Sequence, residues 1–219
     1  MVRGNVTLLG MPASDPGDPR GWLCVGAGGH ARSVVDTIER SGQRVHAVHG
    51  AAVGGWHVPV IGDEGEAREQ ATKHGLRVVV AVGDNATRLR LVQTWAEYQS
   101  SVVAVTASVS QRARLDRASV VLEQAHVGPG AELLDATLVN TGAVVEHDTR
   151  IGRAVHLGPG SVVLGGAVVG DRTFIGALAV VLPGVVVGDD CVVGAGAVVT
   201  VDVPAGARVV GVPAHEIRR

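Results

Sequence analysis

The sequence predicts two architectures in one chain: a small Rossmann-like α/β domain, then a parallel β-helix built from hexapeptide repeats. Three observations predict this. Val, Ile or Leu recurs every six residues from Val109 to Val199, at all sixteen positions, with no slip in register. The residue four places after each, from Ala113 through Thr137 and Ala143 to Val203, is always small or β-branched. Before the repeat, apolar strand-like runs alternate with helical ones around a glycine-rich turn. A helix would repeat at 3.6 and an ordinary strand at two. A strict period of six instead gives three short strands and three tight turns per eighteen-residue coil. At the usual strand spacing of about 4.8 Å, the run makes roughly five coils and a prism on the order of 24 Å tall.

Composition fits that picture and narrows the function. Aromatics are 2% of the 219 residues, as suits a prism interior that admits branched aliphatics but not rings. The formal net charge is −2 with no basic stripe, which argues against a nucleic-acid partner. Two cysteines in no metal or disulfide spacing point to a reducing compartment, hence a cytoplasmic protein. Cys191 takes a small inward corner position and Cys24 an apolar strand, so both read as packing residues rather than reactive thiolates. The apolar run Val6 to Met11 is too short for a signal-peptide core or a membrane span. Residues 1–20 read as a loose tail, 21–106 as the small domain, 107–210 as the β-helix and 211–219 as a C-terminal tail.

In order, Trp22 to Val25 reads as a buried strand. Gly26-Ala27-Gly28-Gly29-His30-Ala31 follows, then a helix from Arg32 to Arg40 with Val34, Val35 and Ile38 on one face and Gly42 ending it. Strand, glycine turn and helix offer backbone N–H groups to a phosphate, or simply make a tight turn with close helix packing. A second strand, Arg44 to Val48, runs into His49-Gly50 with no carboxylate, which disfavours NAD. Pro59 to Gly62 is extended. Asp63 caps a helix to about Lys73, with Glu66 completing a capping-box pattern. Arg77 to Val82 is wholly apolar after its first residue, which places it in the middle of a parallel sheet. Gly83-Asp84-Asn85 is the next turn, beside the glycine loop. A helix from Ala86 to about Gln99 and a strand from Val102 to Val105 complete the small domain, and Thr106 to Ser108 joins it to the prism.

Core and corner positions take the inside of the prism, so His126, His147 and His156 should all face outward. His126 reads most simply as a solvated surface residue. His147 and His156 are half a coil apart, on different faces of one chain, and could meet only across a subunit boundary. A three-faced prism packs naturally as a cyclic trimer.

Three segments carry a resemblance: Gly26-Ala27-Gly28-Gly29-His30-Ala31, then Asn140-Thr141-Gly142-Ala143-Val144-Val145-Glu146-His147-Asp148, and Gly211-Val212-Pro213-Ala214. Gly83-Asp84-Asn85 fits as well. Together they resemble the sugar O-/N-acyltransferases of bacterial glycan pathways, which include sialic acid O-acetyltransferases and N-acetyltransferases acting on nucleotide-linked 4-amino sugars. The resemblance covers residues 22–219. It implies a left-handed β-helix, a homotrimer, acetyl-CoA in the groove between neighbouring prisms, and a sugar nucleotide held by the small domain. By position it makes His147 the general base, with Asp148 (or Glu146) raising its basicity. His156 falls at the acetyl-CoA site, and Ala177 and Ala195 on the corners that meet the cofactor. Gly28, Gly29 and His30 match the sugar-nucleotide loop, and Asn85 and Asn140 join them as substrate-binding residues. Relatives that bind a uridine nucleotide carry acidic residues after the second strand, where this chain has His49-Gly50.

Acyl transfer from a thioester needs a deprotonated nucleophile and a home for the oxyanion. A histidine at ordinary pKa can take that proton at neutral pH, and a backbone N–H on a Gly- or Ala-rich corner can meet the oxyanion. With no nucleophilic side chain in view, direct transfer in a ternary complex is expected. Two other readings have distinct signatures. A zinc-dependent, carbonic-anhydrase-like trimer would need three converging histidines, which the spacings of His126, His147 and His156 do not provide, so no metal is expected. A non-catalytic sugar-nucleotide binder would keep the solenoid without needing His147 and its acidic neighbours.

Overall fold

The computed structural model describes residues 20–217. The expected N-terminal tail therefore lies outside the described residues, apart from Arg20. The small domain runs β1 (Trp22–Val25), α1 (Gly29–Arg40), β2 (Val45–His49), β3 (Val60–Ile61), α2 (Glu64–Lys73), β4 (Arg77–Val80) and α3 (Asn85–Thr94). Its sheet is parallel throughout, in the order β3-β2-β1-β4. The helix caps follow the local chemistry: the Asp63 carboxylate accepts from the Glu66 N–H, and Asp84 does the same for Thr87.

Three details of the small domain differ from the sequence expectation, the simplest being that α3 ends at Thr94 rather than near Gln99. The first helix begins at Gly29, three residues before Arg32, so Gly28 is its N-cap and His30 lies in its first turn. β4 stands at the end of the sheet rather than in its middle. Its apolar run is still buried, because residues 98–100 cover its outer edge: Val78 donates to the Tyr98 carbonyl and accepts from the Ser100 N–H. Trp95 is buried in the same cluster as Val78 and Val80.

The prism is a triangular parallel β-helix of two-residue strands in three sheets. Each strand pairs with the one eighteen residues on, as in Val145↔Val163 and Ile151↔Val169. The hexad residues Val121 to Val199 point inward and are at most 1% exposed. Inward corner hydroxyls mostly bond nearby carbonyls, as Thr137 does to Leu134 and Thr149 to Glu146, whereas the buried Ser161 hydroxyl has no partner. Val102–Val103 pairs with Val120–Val121 and is the first strand of the solenoid, so the coil starts before the expected boundary at residue 107. Residues 211–217 are likewise structured: His215–Glu216 folds back antiparallel on Arg208–Val210.

The small domain is seated on one face of the prism, the one carrying Val120, Leu138, His156 and Phe174. Trp22, Val34 and Val79 share a buried cluster with Val120, Leu122 and Leu138. Trp95 and Val92 share another with the corner residues Ala118, Ala136 and Ala154.

Candidate active site

The C-terminal ends of β1 and β4 lie side by side, so the turns after them share one edge of the domain. Gly26 is demanded by the fold: its φ is +129°, and a Cβ there would stand 2.5 Å from the Ala81 carbonyl oxygen. Gly28 and Gly29 are not. Neither has a positive φ, and a Cβ on either would meet nothing within 4 Å. What their bare backbone provides is open approach to the N-terminus of α1, where N–H groups and the helix dipole favour an anion.

Opposite that loop, Arg88 bolts the small domain to the prism. It is 1% exposed, and its guanidinium donates to the carbonyls of Val82, Gly83, Ala136, Ala154 and Val155 and to Asn85 Oδ1. Burial lowers its pKa to about 10, so it stays charged at neutral pH. Asn85 Nδ2 donates to the carbonyls of Arg172 and Thr173, which ties the 83–85 turn to the next coils.

Beside this bolt two imidazoles meet. His30 and His156 have ring centroids 6.3 Å apart, and Phe174 lies edge-on to His156 at 5.1 Å. Asn140 Nδ2 is 3.2 Å from His156 Nε2. Burial, with the Arg88 charge adding to it, lowers both imidazoles to about 4, so both are neutral at pH 7. His30 Nε2 is buried with no hydrogen-bond partner. A cleft of about 350 Å³ opens here, lined by Gly83, Asn85, His156, Arg172 and Phe174 among others.

His147 and Asp148 occupy a turn on another edge of the prism. His147 Nδ1 is 3.0 Å from Asp148 Oδ2, and both side chains are well exposed, 60% and 75%. A carboxylate against Nδ1 fixes the proton there and leaves Nε2 as the basic nitrogen. Asp148 has φ +56°, where Gly130, Gly166 and Gly184 stand at the same turn position of neighbouring coils. The left-handed region costs an aspartate more than a glycine. Only this turn of the column places a carboxylate there.

The structure thus places Asn85 and His156 in the lining of one cleft, with His30 and Asn140 against His156 and with Gly28 and Gly29 on the loop that precedes His30. His147, Asp148 and Glu146 form a separate group. Ala177 and Ala195 lie on a third edge, one coil apart; Gly158 and Gly176 leave room for their amide nitrogens, 2.8 and 2.6 Å from where a Cβ would stand. His156 faces out of the prism as expected, but it is half-buried beneath the small domain rather than open to solvent. Both thiols are buried, and burial pushes the Cys24 thiol up to about 12 and raises that of Cys191. Among the described residues no group of three or more His, Cys, Asp and Glu side chains is placed to hold a metal, and no helix is long and apolar enough to cross a membrane. Sequence reasoning missed Arg88. Its signal was its spacing, since positions 88, 92 and 95 share one helical face with the buried Val92 and Trp95.

Residues 23–95 match the PglD N-terminal domain family, and residues 166–200 match the bacterial transferase hexapeptide (six repeats) family. Comparison of the sequence with curated proteins finds no match. Among solved structures, PerB from Caulobacter crescentus in complex with CoA and GDP-perosamine superposes with a TM-score of 0.85; it is 38% identical over 90% of this chain and 97% of its own. The acetyltransferase domain of PglB from Neisseria gonorrhoeae, in complex with acetyl coenzyme A, gives 0.86 at 30% identity over 90% and 99%. WeeI from Acinetobacter baumannii shares the fold at 21% identity and a TM-score of 0.72, over 90% and 100%. With a stretch of each domain matched in sequence and 38% identity to PerB over 90% of its length, the chain belongs to the left-handed β-helix, hexapeptide-repeat acetyltransferases that carry a PglD-type N-terminal domain.

Proposed function

We propose that this protein transfers the acetyl group of acetyl-CoA to the amine of a nucleotide-linked amino sugar. A GDP-linked sugar is the first candidate, since PerB is solved with GDP-perosamine and His49-Gly50 offers no carboxylate after β2. The nucleotide lies along the small domain with a phosphate over Gly28 and Gly29, and its sugar enters the cleft beside His30, Asn85 and Asn140. Acetyl-CoA runs along the prism corners at Ala177 and Ala195, with its acetyl end at His156.

The observation that carries the mechanism is the contact between His147 Nδ1 and Asp148 Oδ2. It leaves a basic Nε2 on an exposed edge with its tautomer set. The neutral amine attacks the thioester carbonyl, and Nε2 takes a proton from the attacking nitrogen. The carbonyl π pair moves to oxygen and is met by a backbone N–H of a corner. Its return expels the CoA thiolate and leaves the amide. General-base assistance of this kind contributes about 10²–10⁴ in rate. His147 and the His156 cleft lie on different sides of one chain. We therefore assign each site to two subunits of a homotrimer, with His147 supplied by the neighbour. Acetyl-CoA and two buried free thiols fit a cytoplasmic setting.

The test is turnover. Purified protein, acetyl-CoA and a panel of GDP-, UDP- and dTDP-linked amino sugars are assayed for thiol release and N-acetylated product. Turnover with at least one amino sugar, reduced about 10²–10⁴-fold by His147→Ala, is expected. No acetylated sugar from any member of the panel, or His147→Ala turning over as wild type, would refute the reading.

A further inference from the structure

One column of turns explains how the His147 ring is held. Pairing Val145↔Val163 and Val163↔Val181 stacks position 147 on 165 and 165 on 183. Along the prism, this column runs Gln111, Pro129, His147, Gly165, Pro183. Gly165 alone of these carries no side chain, between the rings of His147 and Pro183.

Two ordinary reasons for a glycine do not apply here. The φ of Gly165 is not in the left-handed region, unlike its neighbour Gly166 at +70°. Nor does backbone crowd it: the three nearest heavy atoms to a Cβ placed there are all of the His147 ring, Nε2 at 2.5 Å, Cε1 at 2.6 Å and Cδ2 at 3.2 Å. For comparison, a Cβ on Gly158 or Gly176 would strike backbone nitrogen and carbonyl oxygen of the next coil. The imidazole therefore lies flat across the vacant Cβ position of Gly165. Its other side is fixed from below: Asp148, which holds Nδ1, packs its carboxylate against Gly130 one coil earlier. The ring is located by one contact at Nδ1 and one absence at position 165.

We infer that Gly165 is a positioning residue for the acetyl transfer, its missing side chain being the seat in which the His147 imidazole lies with Nε2 presented to the acceptor. This rests on the reading of His147 as the base. The fold itself does not need the glycine, because the obstacle to a Cβ is the end of a side chain that can swing away. An alanine at 165 would leave the backbone in place and turn the imidazole outward by an ångström or more. Such a displacement of a catalytic group costs on the order of 10²-fold in rate while leaving binding alone.

The experiment is a double-mutant cycle on the full-length protein with acetyl-CoA and the best acceptor found. Gly165→Ala should fold and melt as wild type, keep both Michaelis constants, and lose about 10–10² in kcat. In a His147→Ala background the same change should do nothing further, because no ring is left to displace. Gly166→Ala is the control: it strains the backbone at φ +70° with nothing near its Cβ, so its effect on melting should be the same with or without His147. If Gly165→Ala lowers turnover by the same factor in both backgrounds, or not at all in the wild type, the inference is overturned. If His147→Ala itself has wild-type turnover, it is the assignment of the base that falls.

Discussion

Arg88 offers the sharpest test of how the two domains are joined. Its cation is buried with no carboxylate among its hydrogen-bond partners, held instead by carbonyl oxygens of the small domain and of two prism turns. Arg88→Met keeps much of the volume and removes every donor. The carbonyls of Val82, Ala136 and Ala154 would lose their Arg88 donor at a buried domain seam. Hydrogen bonds from a charged donor contribute about 1.5–3 kcal/mol each, and relief of the cation's desolvation offsets part of that sum. Removing one side of a buried charged network costs about 3–5 kcal/mol. For a chain of this length that is a drop in Tm on the order of 10 °C. Arg88→Lys should sit between the two, because one ammonium cannot reach carbonyls in three directions. The assay is thermal or urea unfolding, with the His30 and His156 resonances followed by NMR. Losing the Arg88 charge should raise both imidazole pKa values, since that charge lowers them. An Arg88→Met protein that melts within about 2 °C of wild type, roughly one kcal/mol or less on the scale for chains of this size, would refute the bolt.

Other outcomes follow from the same contacts. His30 and His156 titrate near 4 when folded and near 6.5 when unfolded, so the unfolded chain binds more protons between those values. Stability should fall as pH drops from about 6.5 to 4, by about 2–3 kcal/mol per imidazole, and a His30→Asn/His156→Gln variant should show a flatter urea-midpoint profile over that window. Ile151→Asp places a carboxylate in the prism core at a residue 0% exposed; it should cost several kcal/mol, and wild-type melting would contradict the hexad register. Cys191→Ala should keep most activity, since the thiol packs against the Pro204 carbonyl and takes no part in transfer; loss of turnover in a folded protein would reopen a covalent route.

Much of this fold was legible because each coil repeats the same steric demand at fixed spacing. Val, Ile or Leu every six residues could satisfy neither a helix nor an ordinary strand, and the inward positions are those counted in sixes. The start of the solenoid was missed for a local reason. Val103 fits the same frame, but Glu97 breaks it just before, so one isolated coil looked like a strand of the preceding domain. β4 was misplaced because burial on both faces was read as a central position, whereas residues 98–100 cover its edge. The docked face left a signal that went unread: Val120 and Leu138, eighteen apart and pointing out of the prism, are too apolar for a solvated surface. In the site, His147 and its acidic neighbour stood out because they adjoin in sequence. The His30, Asn140 and His156 cluster did not, since its members come from two domains and two coils. Gly165 was invisible as a single residue, and its meaning appears only when the chain is read in steps of eighteen.

The central claim is that one active site takes His147 from one chain and His156 from its neighbour. Mixing subunits measures this directly. His147→Ala and His156→Ala proteins, each impaired alone, are exchanged under mild denaturation, and mixed oligomers are verified by native mass spectrometry. A shared site predicts that some boundaries in the mixed oligomers regain both histidines, so turnover rises above the weighted mean of the two parents. Verified exchange with turnover that never exceeds that mean would contradict it.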